Sequence, residues 1–396
     1  MIQVSSLNMS AGNALRTHRL LLRLAFSASN AFAWIFIFEY LYLLSNDVGA
    51  ALVHVALLYA LSQTIAILFT PLAARGLRNG MRREMIFAVL AAASAFIFLG
   101  ASFQGLFGQL TLVVLVGFAL LLGLYRALYW IPYQIERHDM QAPSSRLSFE
   151  IIIALVPTFI GSLFVLHTIH ESWVLFGAAS VMILALLPFI TIPDVYEGFS
   201  WNYRETFGQL IDRAHRRVAL GAFFDGIQGA ALLLVWPLAI FLMIGRSYEL
   251  FGLILSFTLL ILLILRDIVG RSTRRPHLLR SLPIRVAIVS SAWIGRIFVI
   301  NPLSIIIADA YLHTGNPKIS TDHSAFEQTS DAGHFIDEDT VVREIGLLSG
   351  RIFLCLIFAM IMSISSLFIA FGMTFVVAGI AAGVSVIIAS TTRQSI

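Results

Sequence analysis

The chain has one cysteine, one lysine and few charged residues of either sign. Cys355 stands alone among 396 residues, so no intrachain disulfide and no cysteine-based metal site can form. His54, His170 and His313 fall near the ends of apolar runs and not at metal-ligand spacing. The chain contains no H-E-x-x-H, no Walker-type phosphate loop and no G-x-S-x-G elbow. Zinc hydrolysis, serine-nucleophile chemistry and ATP-driven transport within this chain are therefore without a motif, and no cofactor or metal is expected. Charged residues make up 12% and hydrophobic residues 59%, with a mean hydropathy of +0.88. A soluble domain is about a quarter charged and about half apolar, which excludes that class and leaves a polytopic membrane protein.

Apolar runs of about 20 residues, the length that crosses a bilayer, fall at Leu20–Leu44, Ala51–Ala74, Met85–Phe103, Leu110–Ile131, Ile151–His170, Trp173–Ile192, Val218–Ile244, Leu250–Leu265, Leu282–Val299, Pro302–Leu312, Ile345–Ile364 and Leu367–Ile388. Residues 282–312 could form one tilted span or two. A residue before proline avoids the α region, so Asn301-Pro302 admits a break, and two spans are favoured because only then do the halves match six to six. Met1 to Leu15 is polar and is expected to be disordered. The first run is too long for a signal-peptide core, so it reads as a retained anchor.

Of 26 basic residues only Lys318 is a lysine. The net charge of +4 and pI of about 9.4 would raise a nucleic-acid partner, but the positions of the arginines answer otherwise. With the N-terminus inside, almost all lie on inside segments or inside span ends. Arg246 alone falls in an outside loop, and Arg126, Arg296 and Arg351 lie in or near spans. This positive-inside bias predicts a multi-pass protein of the cell (inner or plasma) membrane with both termini cytoplasmic and no nucleic-acid partner.

The expected organisation is a six-helix half at 1–192, an inside linker at 193–217 and a second half at 218–396. Within the linker, Glu205 to Arg217 mixes apolar and charged residues at helical spacing and reads as an amphipathic helix on the inner membrane face or as a plain linker helix. The acidic stretch with Asp322, Glu327, Asp331, Asp337, Glu338 and Asp339 reads as a solvated loop.

Two basic hairpins follow the second run of each half: Gly76-Leu77-Arg78-Asn79-Gly80-Met81-Arg82-Arg83, and Asp267-Ile268-Val269-Gly270-Arg271-Ser272-Thr273-Arg274-Arg275. The second, D-x-x-G-R-x-x-R-R, resembles the loop signature of the major facilitator superfamily. The first is degraded, with Leu77 in place of the acid and Met81 in place of the first arginine. Weaker echoes fall in the same order in both halves: Ala25-Phe26 and Ala222-Phe223, or Arg126 and Asp309 near the ends of the fourth and tenth spans. The resemblance implies an all-α membrane fold of about twelve transmembrane helices in two six-helix pseudo-repeats. It also implies that spans 1, 4, 7 and 10 line a central cavity, and that the loop acid braces the inner gate. For that gate the residues are Asp267, Gly270 and Arg271, with Gly80 and Arg82 in the degraded copy. Asp267 is expected to meet the start of the fifth span near Ser148 and Glu150, where helix N–H groups attract an anion; simple neutralisation of Arg266 or Arg271 is the alternative.

Charge within a bilayer is costly and marks function. The four cavity spans carry Glu39, Arg126, Asp225 and Asp309. Arg126 and Asp309 are expected to pair across the two halves, moving or static. A carboxylate taken out of water favours its protonated form, which makes Asp225 the expected coupling acid; a hydrogen bond to a neighbouring span is the other reading. Glu39 lies nearer the outer end. Tyr129, Trp130, Tyr133 and Gln228 are candidate substrate contacts, although aromatic belts explain most such residues. Trp236-Pro237 should distort its helix.

The functional expectation is a monomeric, non-enzymatic secondary transporter of a small molecule, working by alternating access and coupled to protons, with the lipid bilayer as its other partner. A cationic, amphiphilic or anionic substrate each fits. The alternatives are a transport-inactive scaffold or sensor, and an intramembrane lipid-handling enzyme using Ser145, Ser148, His138 and Asp139.

Overall fold

The computed structural model describes residues 11–139, 147–165, 170–194, 196, 198–213, 215–271, 281–315 and 338–392. Every regular element among them is helical. α1 (Ala11–Ser45), α2 (Val48–Gly76), α3 (Met81–Phe103), α4 (Thr111–Asp139), α5 (Leu147–Val165) and α6 (Glu171–Leu184) make the first half. A short α7 (Tyr203–Gln209) follows in the linker. In the second half, α8 (Arg216–Ala230) and α9 (Trp236–Met243) form one span; α10 (Tyr248–Arg271), α11 (Leu282–Gly295), α12 (Pro302–Gly315), α13 (Glu338–Ile364) and α14 (Leu367–Thr392) complete it.

Lipid offers no partner to a backbone N–H or C=O, so each crossing segment must satisfy its own, and a helix does this. Nine described segments are long and apolar enough to cross a membrane, and Ser148–Phe164 and Pro302–Leu312 are shorter apolar helices. Leu282–Gly295 with its 3₁₀ turn Arg296–Phe298 makes the twelfth. The chain therefore breaks before Pro302, and residues 282–315 form two helices.

Several boundaries differ from the hydropathy reading. α1 begins at Ala11, because Ala14, Leu15, His18 and Leu22 are buried against the bundle. α10 runs helically through Asp267 and Gly270 to Arg271, so half of the second basic hairpin is helix. The linker helix is shorter than Glu205–Arg217: α7 ends at Gln209, and Arg216 already opens α8. α13 starts at Glu338, which brings Glu344 inside a membrane helix. The side chains of Asp267 and Arg271 and the surroundings of Gly270, like the side chains of His138 and Asp139, lie outside what is described, as do Ser145 and most of the acidic stretch.

Proline positions have structural consequences. Pro157 has no N–H to give the carbonyl four residues back; that carbonyl, of Ile153, instead accepts from Ser27 Oγ of α1 at 2.9 Å. Pro237 is accommodated by a π-helical turn at Ala231–Val235 just before it, a recognised way for a helix to bend.

The halves meet along two helix pairs, α2 with α13 and α5 with α10. At the second pair a β-carbon on Gly252 would overlap the Pro157 carbonyl, so the absence of a side chain permits the close approach. Thr158 N donates to Ser256 Oγ at 2.9 Å across the same seam.

Candidate functional site

Where α2, α4 and α13 converge, buried polar side chains from both halves form one cluster. Arg126 of α4 pairs with Glu344 of α13, Nη2 to Oε1 at 2.6 Å. Arg351, two turns further along α13, donates from Nη1 to Gln63 Oε1 of α2 at 3.2 Å. Spacing of seven residues puts Glu344 and Arg351 on one helix face. Arg126 is 8% exposed, Glu344 and Arg351 2% each, and Gln63 4%. Such charges survive burial only through partners and hydrogen bonds. The cluster borders a cavity of ≈ 50 Å³ whose walls include Asn30, Trp34, Tyr59, Tyr125, Trp130 and Leu233. Ligand sites span about 300–1,000 Å³, and this cavity is smaller than that range.

The expected Arg126–Asp309 pair is not formed. Asp309 accepts from Arg296 Nη2 at 2.6 Å and from Trp236 Nε1 at 3.0 Å. The Arg296 guanidinium lies 4.1 Å from the Trp293 ring centre and 4.9 Å from that of Trp236. The physical reason is proximity: α11 and α12 are a tight antiparallel hairpin, and a cation at its turn reaches Asp309 before any group across the molecule. Asp225 is not among the residues lining this cavity and accepts a hydrogen bond from Ser385 of α14. Among the described residues the carboxylate shown in the cluster is Glu344, which hydropathy leaves just outside its span.

Of the aromatic candidates, Trp130 reaches the cavity. Tyr129 and Tyr133 stack instead, with ring centres 5.4 Å apart. Tyr129 Oη is 3.0 Å from His18 Nε2, and Arg19 stands over the rings of Trp130 and Tyr133 at 4.7 and 5.1 Å. Gln228 is buried and spends its amide on the Phe224 carbonyl of its own helix, 3.5 Å away.

Each end of the bundle has its own cross-half contacts. At one end Glu39 of α1 meets Arg246, Oε1 to Nε at 2.9 Å and Oε2 to Nη2 at 3.1 Å. Arg246 is held in the left-handed region, φ +63°, with its guanidinium 4.3 Å from the Tyr42 ring centre. Beside it Tyr248 Oη donates to Glu171 at 3.3 Å.

At the other end a second apolar cluster joins Ala74, Leu77 and Ile131 of the first half to Ala219, Val341, Val342 and Ile345 of the second, with Phe199 and Trp201 of the linker included. The degraded hairpin serves this linker. Arg78 Nη2 donates to the Phe199 carbonyl at 2.6 Å and Arg75 Nη2 to Asn202 Oδ1 at 2.5 Å. Arg82 donates its backbone N–H to Asp194 at 3.1 Å and its guanidinium to the Ile192 carbonyl at 3.4 Å. Gly80, at φ +106°, leaves room for that same Asp194 carboxylate. A linker acid thus caps α3 where the hairpin has Leu77. At the start of α5, Glu150 is held by both Arg23 amino groups at 2.6 and 2.7 Å.

The architecture has solved counterparts. The human organic anion transporter MFSD10 matches with a TM-score of 0.54 at 12% identity, over 96% of this chain and 98% of that one. A peptide transporter, POT, gives 0.60 at 12% identity over 96% and 94%, and the nucleoside transporter NupG 0.54 at 15% over 98% and 99%. No family model matches the sequence, and no curated protein does. Twelve helices in two matched halves, with neighbours of this kind along almost the whole chain, give this protein the major facilitator fold.

Proposed function

We propose that this protein is a secondary active transporter which moves a small molecule by rocking its two six-helix halves about the central cluster, coupled to protons through Glu344. The observation that carries this is the Arg126–Glu344 ion pair: a buried bridge between the halves, at the wall of a central cavity, with separate contacts at each end. Alternating access requires one set of end contacts to break while the other holds. Glu39–Arg246 and the Leu77–Trp201–Val341 cluster are two such sets. Their chemistry differs: one is ionic and partly exposed, the other apolar. In this reading the positive-inside bias of the arginines supports a cytoplasmic Gly80 end in the cell membrane, and the chain acts as a monomer without enzymatic chemistry.

Glu344 is the coupling acid in this reading because protonation would release Arg126. A neutral carboxyl cannot hold a guanidinium as an ion pair, and Arg126 then becomes available to substrate. Asp225, bonded to Ser385 off the cavity, is the comparison. The test is proton movement in sealed proteoliposomes offered a mixed solute library, for wild type, Glu344→Gln and Asp225→Asn. Solute-dependent proton flux that disappears in Glu344→Gln and persists in Asp225→Asn is expected. Flux lost in Asp225→Asn and kept in Glu344→Gln would move the coupling role back to Asp225. Folded wild type that moves no solute would overturn transport and return the scaffold reading.

A further inference from the structure

We propose that a groove between α5 and α6 is a binding site for one acyl chain of a membrane phospholipid. α1 packs against both helices and floors the groove with Leu24, Ala25 and Ala28. The groove has a volume of ≈ 220 Å³, and no charged, hydroxyl or amide side chain is among its lining residues. Its floor is closed and its rim is open. Ala25, Ile160, Val174 and Ala178 are at most 8% exposed, whereas Phe159 and Trp173 on the rim are 64% and 60% exposed. Gly177 supplies an independent observation: a β-carbon built there would meet nothing within 4 Å, so the backbone of α6 faces open space at the groove.

What occupies the groove follows from where it lies. It opens on the surface that the spans turn to lipid, continuous with the exposed Ile152 and Leu155 of α5. Water needs two to four polar partners to settle in a cavity, and this lining offers none. An apolar space left unfilled forfeits the dispersion contacts of its walls. Width then separates a lipid chain from a second protein. Val156 to Leu163 covers roughly 10 Å of helix, so this volume amounts to a channel roughly 20 Å² in section. A helix is about 10–12 Å across with its side chains and takes roughly 80 Å² or more. The groove therefore admits one hydrocarbon chain and excludes a partner helix. Trp173 is the third residue of α6, where an indole suits the membrane interface, so the chain enters from the leaflet at the Arg246 end. Lipid tails are as apolar as leucine, so packing and not escape from water holds the chain. On α1, Ala25 and Ala28 meet the groove while Asn30 and Trp34 meet the central cavity. A chain in the groove thus braces the lipid side of a helix whose other side forms the cavity wall.

The test places the full-length protein in phosphatidylcholine nanodiscs doped with a phosphatidylcholine that carries a diazirine midway along one chain. After illumination, the labelled residues are mapped by mass spectrometry. Lipid that merely surrounds the protein labels exposed residues such as Phe159 and, on α4, Leu112 and Val113, which are 53% and 65% exposed. A chain seated in the groove also labels the buried floor, Ala25, Ile160, Val174 and Ala178. Gly177→Phe fills the groove from an ordinary helical position, and floor labelling should be lost while Leu112 and Val113 remain labelled. Gly117→Phe on α4, where a β-carbon also meets nothing within 4 Å, should leave the floor labelled as in wild type. Wild-type labelling confined to the exposed residues would overturn the proposal without reference to any variant. Floor labelling that survives Gly177→Phe would overturn it as well, and so would a photoreactive sterol that takes the floor in place of the phospholipid.

Discussion

At the scale of single residues, the buried ion pairs carry the sharpest expectations. Removing one partner of a buried pair leaves an uncompensated charge and costs about 3–5 kcal/mol, whereas removing both is often near neutral. Arg126→Gln alone should therefore lower the thermal stability of the purified protein strongly, and Arg126→Gln with Glu344→Gln should recover most of it. A double mutant as unstable as the sum of the singles would mean that the two groups do not depend on each other. Glu39 and Arg246 are expected to behave differently. Their side chains are 14% and 35% exposed, and pairs of that kind contribute roughly 0–1 kcal/mol. Glu39→Gln should scarcely change the melting temperature, yet it should raise cysteine-reagent access to the cavity from the Arg246 end. Unchanged access would remove Glu39 from the latch.

The sequence exposed these residues unevenly. Arg126, Arg351 and Asp309 are visible as charges in apolar runs, and Arg126 was placed on the cavity by resemblance. Their partners were not legible. Which cation meets Asp309 depends on the rotation of α12 about its axis and on the tightness of the α11–α12 turn, and hydropathy reports neither. Glu344 was hidden by an apolar run that begins at Ile345, although its spacing from Arg351 marks a shared face once the helix is known to start at Glu338. Gln63 is a polar residue amid an apolar span, a signal that could have found it.

At the scale of elements, glycine seams and the linker decide what can move. Gly252 on α10 packs on the Pro157 carbonyl of α5, so Gly252→Val must push the helices apart. It should reduce stability and shift the protein toward the form open at the Arg246 end, measured as faster labelling of cysteines placed on α5. Trp201 is 7% exposed within the apolar cluster at the opposite end. Truncating a buried tryptophan costs about 3–5 kcal/mol, so Trp201→Ala should destabilise this arrangement by an amount near the lower bound and open the Gly80 end. A melting temperature within a degree of wild type would contradict this.

The spans themselves were readable within a few residues because a bilayer-long apolar run has few alternatives to helix. The break at Pro302 lies in one continuous apolar stretch and was read from the six-to-six match of the halves, with the proline admitting it. The use of the first hairpin was not. Leu77 looks like a lost acid in sequence, and in the fold it packs in the apolar cluster while Asp194, more than a hundred residues away, accepts the Arg82 N–H at the start of α3.

At the scale of the whole molecule, the two halves are joined by the Glu39–Arg246 ion pair at one end, an apolar cluster at the other and the Arg126–Glu344 ion pair between them. A cavity of ≈ 50 Å³ is too small for an organic substrate, so the proposed transport needs a second arrangement of the same halves. A few kcal/mol between two packings is enough to make both accessible, and the unequal chemistry of the two ends gives substrate and protons something to bias.

The most direct measurement is a pair of distances across the two ends. Cys355 is the lone cysteine and is buried, so a Cys355→Ser background accepts spin labels at Leu43 with Ile364, and at Asn79 with Ala389. Pulsed dipolar spectroscopy in nanodiscs, with and without the mixed solute library, should show both distances shifting, one lengthening as the other shortens. Two unchanged distances, or two that lengthen together, would contradict a rocking transporter built on the Arg126–Glu344 bridge.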